Sequence, residues 1–259
     1  MEITAEQVKD LREKTGVSVM QCKNALVEAE GDLEKALIIL KKKSSSISMK
    51  KADREAHEGV IVVAEKDNKM VMLMLNCETD FVARNSDFIE IAKNVSSKVL
   101  ENGSAFISTP ECAEITDAGV QKLGEKISVG VVEEIEGSTL GSYVHNMKSC
   151  VIVSLEGGTK DLARDIAMHI AAMKPMYASQ AEIKEEDKEK VMEVFQKEVD
   201  ESDKPKEIKE KMLEGKIATY FKEQTLMDQS YIKNPDITID GLLKQNNATF
   251  VKFIRESIA

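Results

Sequence analysis

Tryptophan is absent from this sequence, and aromatic residues make up only 4% of its 259 residues. A folded core must therefore be built from aliphatic side chains and from methionine, of which there are 13. The four cysteines and three histidines are scattered, without a Cys-x-x-Cys pair or the spacing of zinc ligands. We therefore expect no metal site and no cofactor, and we expect reduced, buried cysteines.

An excess of positive charge is also missing, since 36 basic residues are outnumbered by 46 acidic ones and the net charge is −10. Proteins that bind nucleic acid usually carry a basic field, so direct nucleic-acid binding is not expected. No apolar run approaches the roughly 20 residues that cross a bilayer, and the first residues lack the features of a signal peptide. These absences predict a cytoplasmic protein without a membrane partner.

The motifs of common enzyme classes are missing as well. The sequence contains no phosphate loop, no dinucleotide-binding glycine motif and no G-x-S-x-G. Cys77, together with Asp80 and a distant histidine, could be imagined as a thiol site. However, Cys77 ends an apolar segment, and burial raises the pKa of a thiol and makes it unreactive. The sequence favours a protein that acts by binding another protein over an enzyme.

The pattern of apolar residues predicts an α+β fold of about two domains. Residues 1–40 are predicted to form three short helices, the first with a capping box from Thr4 and Gln7. This partner-binding module resembles the ubiquitin-associated type of three-helix domain. Residues 41–54 contain six basic residues, one acidic residue and four serines, and we interpret them as a mobile basic linker.

After this linker the apolar period changes, and one order of elements occurs twice. Strand, turn, buried strand and helix are predicted at 59–65, 70–76 and 86–100, and again at 141–145, 150–155 and 161–173. This repetition predicts a duplicated α+β core with antiparallel sheets. We assign 55–140 to core subdomain N, and 141–179 with 225–259 to core subdomain C.

Residues 180–224 interrupt the second subdomain with 14 acidic residues and 10 lysines. Two narrow apolar stripes on either side of Pro205 predict an inserted antiparallel helical hairpin, or coiled-coil insertion. Its exposed apolar positions make it a candidate surface for homodimerisation.

The stretch from Cys77 to Ala83 allows two interpretations. In the first, Thr79 caps a helical turn, and Phe81 and Val82 point into the core. In the second, Asp80 and Phe81 are displayed at the end of a rigid strand as contact residues for a partner. The residues alone leave both open.

The run NCETDFVAR at 76–84 resembles the T-D-F-V-A signature of the bacterial elongation factor Ts family. Further similar segments follow in the family's order: ITAEQVKDLREKTGVSVMQCKNALVEAEGDLEKA at 3–36, GSYVH at 141–145, HIAAMKP at 169–175 and KPKEIKEKMLEGKI at 204–217.

This resemblance implies a guanine-nucleotide exchange factor that binds elongation factor Tu, a GTPase, and promotes release of its GDP by disturbing the Mg²⁺ and nucleotide site. It implies no catalytic residue. The family's contact residues match these positions here: Thr79, Asp80, Phe81 and Val82 for the Mg²⁺ site, and Arg12, Met20, Lys23 and His145 for other contacts. The alternative is a ubiquitin-associated-like adaptor, or a protein that binds nascent chains, without exchange activity.

The sequence departs from the family at two places. Val19 precedes Met20 where many members have two methionines. Residues 229–232, Gln-Ser-Tyr-Ile, replace the more usual Gln-Pro-Phe. Whether Ile232 and Lys233 contact the partner is therefore open.

Overall fold

Three helices begin the chain: α1 Ala5–Thr15, α2 Val19–Glu28 and α3 Leu33–Lys51. The computed structural model describes residues 3–258. Thr4 and Gln7 form the predicted capping box, and the Asp32 carboxylate accepts hydrogen bonds from two amides at the start of α3. The three helices enclose a small aliphatic core of Leu11, Val17, Cys22, Ala25, Leu26, Ala29, Ala36 and Leu40. The predicted three helices are thus confirmed.

The first sheet and its helices follow. They are β1 Glu58–Lys66, β2 Lys69–Cys77, α4 Asp80–Ala83, α5 Ser86–Asn102, α6 Pro110–Leu123 and β3 Ser128–Glu136. β1 and β2 form an antiparallel hairpin, paired from Glu58 with Cys77 to Lys66 with Lys69. β2 lies between β1 and β3. Every side chain from Met70 to Leu75 is buried, which accounts for the unbroken apolar sequence of this strand.

The prediction of a mobile linker from residue 41 is wrong, because α3 continues through Lys51. Residues 41–51 contain no glycine or proline that would end a helix. This part of α3 packs against α6: Ser45 Oγ donates to Asp117 at 2.7 Å, and Lys41 pairs with Glu114 at 3.0 Å. Ile47 also packs against the core of the first sheet. The basic residues therefore belong to a helix that is fixed by tertiary contacts.

The second half repeats the order of the first. It contains β4 Thr139–His145, β5 Ser149–Gly157, α7 Lys160–Met173, α8 Glu185–Asp200, α9 Lys206–Gln224, β6 Ser230–Tyr231, β7 Asn234–Thr238, α10 Ile239–Gln245 and β8 Ala248–Ser257. Short 3₁₀ turns cover Ser104–Ser108, Gln180–Glu182 and Leu226–Asp228. In the sheet β4-β5-β8 the buried strand is again central, as β2 is in β1-β2-β3. The predicted α+β fold class is confirmed.

Gly141 explains how closely β4 approaches α7. A Cβ atom at this position would lie 2.4 Å from the carbonyl carbon of Ala163 and from the amide nitrogen of Arg164. These are backbone atoms and cannot move aside as a flexible side chain could. Only glycine fits here without shifting the helix.

Helices α8 and α9 pack together as the predicted hairpin. Phe195 and Tyr220 meet edge to face with their ring centroids 5.8 Å apart, and Lys216 pairs with Glu198 at 2.6 Å. The chain segments that enter and leave the hairpin are joined, because the Leu226 amide donates to the Tyr177 carbonyl at 2.9 Å. The hairpin is therefore an insertion whose ends are close in space.

Contacts along the backbone divide the chain into two units. One covers residues up to 135, 144–150 and the end from 256, and the other covers 136–143 and 151–255. The predicted finer boundaries at residues 140, 179 and 224 stay predictions. From residue 3 to residue 258, no helix is both long and apolar enough to cross a membrane.

Candidate protein-contact site

The predicted contact stretch begins where β2 ends, at Cys77, and continues into the single turn of α4. Thr79 caps this helix, and its Oγ1 accepts a hydrogen bond from the Val82 amide at 3.4 Å. Consecutive side chains of a helix point about 100° apart. Neighbouring residues of α4 can therefore differ, one facing the core and the other facing solvent. Val82 is 9% exposed and belongs to the core, whereas Phe81 is 83% exposed. Thr79 and Val82 thus follow the capping interpretation, and Phe81 follows the display interpretation.

Glu125 fixes the backbone just before this helix. Its carboxylate accepts hydrogen bonds from the amides of Glu78 at 3.1 Å and Thr79 at 2.9 Å, and from the Thr79 hydroxyl at 2.6 Å. Hydrogen bonds to a charged group each contribute about 1.5–3 kcal/mol. Sequence reasoning missed Glu125, since it lies 46 residues from Thr79 and no spacing rule connects them.

Glu78 makes the reciprocal contact. The Lys126 amide donates to its carboxylate at 2.6 Å, and the Arg54 guanidinium donates at 3.1 Å. The Lys126 amide and, next, Arg54 hold the pKa of the Glu78 carboxyl below its ordinary value, although partial desolvation opposes them. The Lys126 ammonium in turn donates to the carbonyls of Ala52 and Arg54, both at 2.7 Å. The end of β2, the segment after α6 and the segment after α3 are therefore tied together next to the helix that carries Phe81.

Asp80 lies in the first turn of α4, where the partial positive charge of a helix N-terminus favours a carboxylate. It pairs with Arg84 at 3.0 Å, but the Arg84 side chain is 81% exposed, so the pair contributes little to stability. An acid and an exposed aromatic ring thus lie side by side on a rigid support. This arrangement can insert an apolar group and a negative charge into a partner.

Cys77 does not have the properties of a nucleophile. Burial, with a further contribution from the nearby Glu125 carboxylate, raises the pKa of its thiol to about 12. Its Sγ donates to the Thr79 carbonyl at 3.2 Å, so the protonated thiol supports the same backbone. In the range 3–258, no group of three or more His, Cys, Asp or Glu side chains is arranged to hold a metal ion.

The predicted contacts in the first helices all lie on the surface. Arg12 is in the last turn of α1, and Met20 and Lys23 are three residues apart on one face of α2. All three are exposed. Val19 is exposed as well, so the surface there presents two adjacent apolar side chains despite the departure from the family pattern.

His145 is exposed at the last position of β4. It belongs by contacts to the same unit as Phe81. Ile232 and Lys233 are in the other unit, where Lys233 pairs with Asp165 at 2.6 Å.

Comparison with known proteins identifies one family along the chain. The family model described as Elongation factor TS matches residues 78–259. The chain is 39% identical to elongation factor Ts of Hahella chejuensis, over 99% of this chain and 92% of the relative. It is 41% identical to that of Marinobacter nauticus, over 98% and 90%, and 40% identical to that of Thioalkalivibrio sulfidiphilus, over 100% and 92%. The fold, the T-D-F-V-A segment and these relatives lead to one conclusion: the chain belongs to the elongation factor Ts family of translation elongation factors.

Proposed function

We propose that this chain is a guanine-nucleotide exchange factor for elongation factor Tu. It binds the GDP-bound GTPase and promotes GDP release, so that GTP can bind during translation elongation. The observation that carries this proposal is the 83% exposure of Phe81 on a support fixed by Glu125 and Glu78. An aromatic ring held in water by a rigid support is a typical interface anchor.

The proposed mechanism acts on the Mg²⁺ ion of the partner. In GTPases this ion bridges phosphate oxygens, and contacts with the phosphate and the ion keep the switch regions ordered. Asp80 and Phe81 insert beside the nucleotide and disturb the groups around the ion, which weakens nucleotide binding. Thr79 and Val82 serve indirectly, one by capping α4 and the other by anchoring it in the core.

Insertion of Phe81 alone is too weak to explain efficient exchange. Accelerating release by about 10³–10⁴ requires about 4–5.5 kcal/mol of differential destabilisation. Burying one phenylalanine contributes about 1.5–3 kcal/mol. Further contacts at Arg12, Met20, Lys23 and His145 therefore hold the factor on its partner while Phe81 is inserted.

Coupling between the factor and GDP must be reciprocal. If the factor weakens GDP binding by a given ratio, GDP weakens binding of the factor by the same ratio. Rebinding of nucleotide therefore dissociates the factor, which can act again on another GTPase molecule.

The test is release of fluorescent GDP from purified elongation factor Tu, followed with substoichiometric amounts of this protein. Many GDP molecules released per molecule of the protein would support the proposal. Binding to elongation factor Tu with no change in the release rate would overturn it and favour an adaptor. A Val251→Ala variant, which alters another exposed apolar side chain, serves as the control and should release GDP at the unaltered rate.

A further inference from the structure

Residues 145–148, which we call the His145 turn, have an unusual backbone. The Lys148 amide donates to the His145 carbonyl at 2.9 Å, and both central residues have positive φ, 50° for Asn146 and 57° for Met147. This is the pattern of a type I′ hairpin turn, whose second central position is usually glycine. A bulky residue in the left-handed region costs free energy, so the methionine side chain must be held by something else.

That support comes from β1. The Met147 carbonyl accepts a hydrogen bond from the Ile61 amide at 2.7 Å, and the Met147 side chain packs against the core of the first sheet. Lys148 forms an ion pair with Glu58 at the start of β1. The Lys148 carbonyl also accepts from the Ile258 amide at 2.8 Å. By its contacts the turn belongs to the unit of β1 and Phe81.

Two cavities border the contact between the turn and β1. One cavity of about 610 Å³ is lined by Ile61, Leu100 and Met147. Another of about 530 Å³ is lined by Met147 and Lys148 together with Ala83 and Arg84, at the end of the helix that carries Phe81. Met147 and Lys148 therefore lie across one cavity from the end of that helix.

We infer that Met147 and Lys148, with Glu58, are positioning residues for nucleotide exchange. They keep His145 at a fixed position relative to Phe81. Binding of the partner at His145 then directs the insertion of Phe81. This inference rests on the proposed function. If the His145 turn is loosened, the partner can still bind at each contact, but binding at His145 no longer directs Phe81.

Charge reversal tests the inference. Glu58→Lys and Lys148→Glu each place like charges together, whereas the double variant restores an opposite pair. At saturating factor, each single variant should lower the maximal rate of GDP release by about five-fold or more, and the half-saturating concentration should change little. The double variant should recover most of the rate. Hydrogen exchange of the Ile61 amide should be faster in the single variants and restored in the double variant.

Met147→Gly provides a second test that does not add a charge. Glycine after Asn146 favours the same turn, so only the side-chain anchor is lost, and the maximal rate should again fall. The matched control is reversal of the Lys98–Glu111 pair, which joins α5 to α6 at 2.6 Å and should leave the rate unchanged.

The outcomes separate this inference from the proposed function. If the unaltered protein does not accelerate GDP release, the proposed function itself fails. If it does, and folded single variants and Met147→Gly keep the full maximal rate, the positioning role is wrong. A lower rate in the single variants that the double variant does not recover would also contradict it. If the charge-reversed proteins unfold, the Met147→Gly result decides.

Discussion

His169 is a fully buried histidine of α7 with both ring nitrogens engaged. Its Nδ1 accepts from the Ile232 amide at 3.3 Å, and its Nε2 donates to the Gln229 side-chain oxygen at 2.9 Å. This pattern fits only the neutral ring. Burial lowers the pKa of His169 from its ordinary value of 6.5, although the contact with Gln229 opposes this effect.

We expect the free energy of unfolding to fall as the pH drops below about 6.5, because the unfolded chain then binds a proton that the folded chain does not. Above that pH both states are neutral, and this contribution is fully present. Urea unfolding between about pH 5.5 and 7.5 measures the effect, since carboxyl groups hardly titrate there. His169→Gln should remove most of the pH dependence in this range, whereas His57→Gln, at an exposed site, should retain it. Equal pH dependence in all three proteins would contradict the assignment.

Asp80 and Phe81 could be singled out from the sequence, but the residues that support them could not. Asp80 and Phe81 stand out by their types at the end of an apolar strand. Glu125 and Lys126 give no such signal, because surface charges are common and their partners are distant in sequence. The opposite environments of Phe81 and Val82 follow from where α4 begins, and a four-residue helix has no periodicity from which this could be read.

Among the elements, the second half of α3 is where prediction and structure differ most. Ser46 is exposed within residues 41–51 of this helix. Ser46→Pro should lower the free energy of unfolding by about 3 kcal/mol, because proline removes a helical hydrogen bond and clashes with the preceding turn. Urea or thermal unfolding measures the change.

Glu55→Pro is the matched control, since residue 55 lies beyond α3 outside regular structure, and it should have a much smaller effect. Two small, similar effects would mean that residues 41–51 behave as the mobile linker first predicted. Composition suggested a linker because lysine and serine rarely face a core. The contacts that stabilise the helix here, Ser45 with Asp117 and Lys41 with Glu114, come from α6 and are not visible in local sequence.

For the whole molecule, we predict that the hairpin of α8 and α9 is dispensable for nucleotide exchange. The backbone hydrogen bond from the Leu226 amide to the Tyr177 carbonyl closes the hairpin segment at its base. Phe221 is buried beside Tyr177, so the segment that is replaced should include neither residue. Replacing residues 184–216 with a short Gly/Ser link should change the entropic cost of closing the loop only slightly, since each doubling of loop length changes that cost by about 0.6 kcal/mol. GDP release should persist.

Solution mass should be determined alongside, because Met192, Val194 and Ile208 are exposed on the hairpin and are candidates for self-association. Loss of self-association with exchange intact would support an accessory role. A folded variant with almost no exchange would mean that the hairpin contacts the GTPase productively, and the prediction would be wrong.

The order of elements over the whole chain could be predicted because each buried strand is flanked by turn residues and followed by a strongly amphipathic helix. The sheet partners of the central strands could be predicted less well. β3 follows β2 only after three helices, α4, α5 and α6, and β8 follows β5 after the hairpin insertion. Such long-range pairings depend on tertiary packing that no local pattern records.

The proposed insertion of Phe81 is tested by the rate of GDP release from elongation factor Tu with the Phe81→Ala variant, compared with the unaltered protein. Because Phe81 is exposed, the thermal unfolding midpoint should hardly change. The activation free energy for release should rise by about 2–4 kcal/mol, as expected for removal of a central aromatic anchor. A variant that loses stability yet exchanges GDP normally when folded would show that Phe81 supports the fold and is not the inserted group.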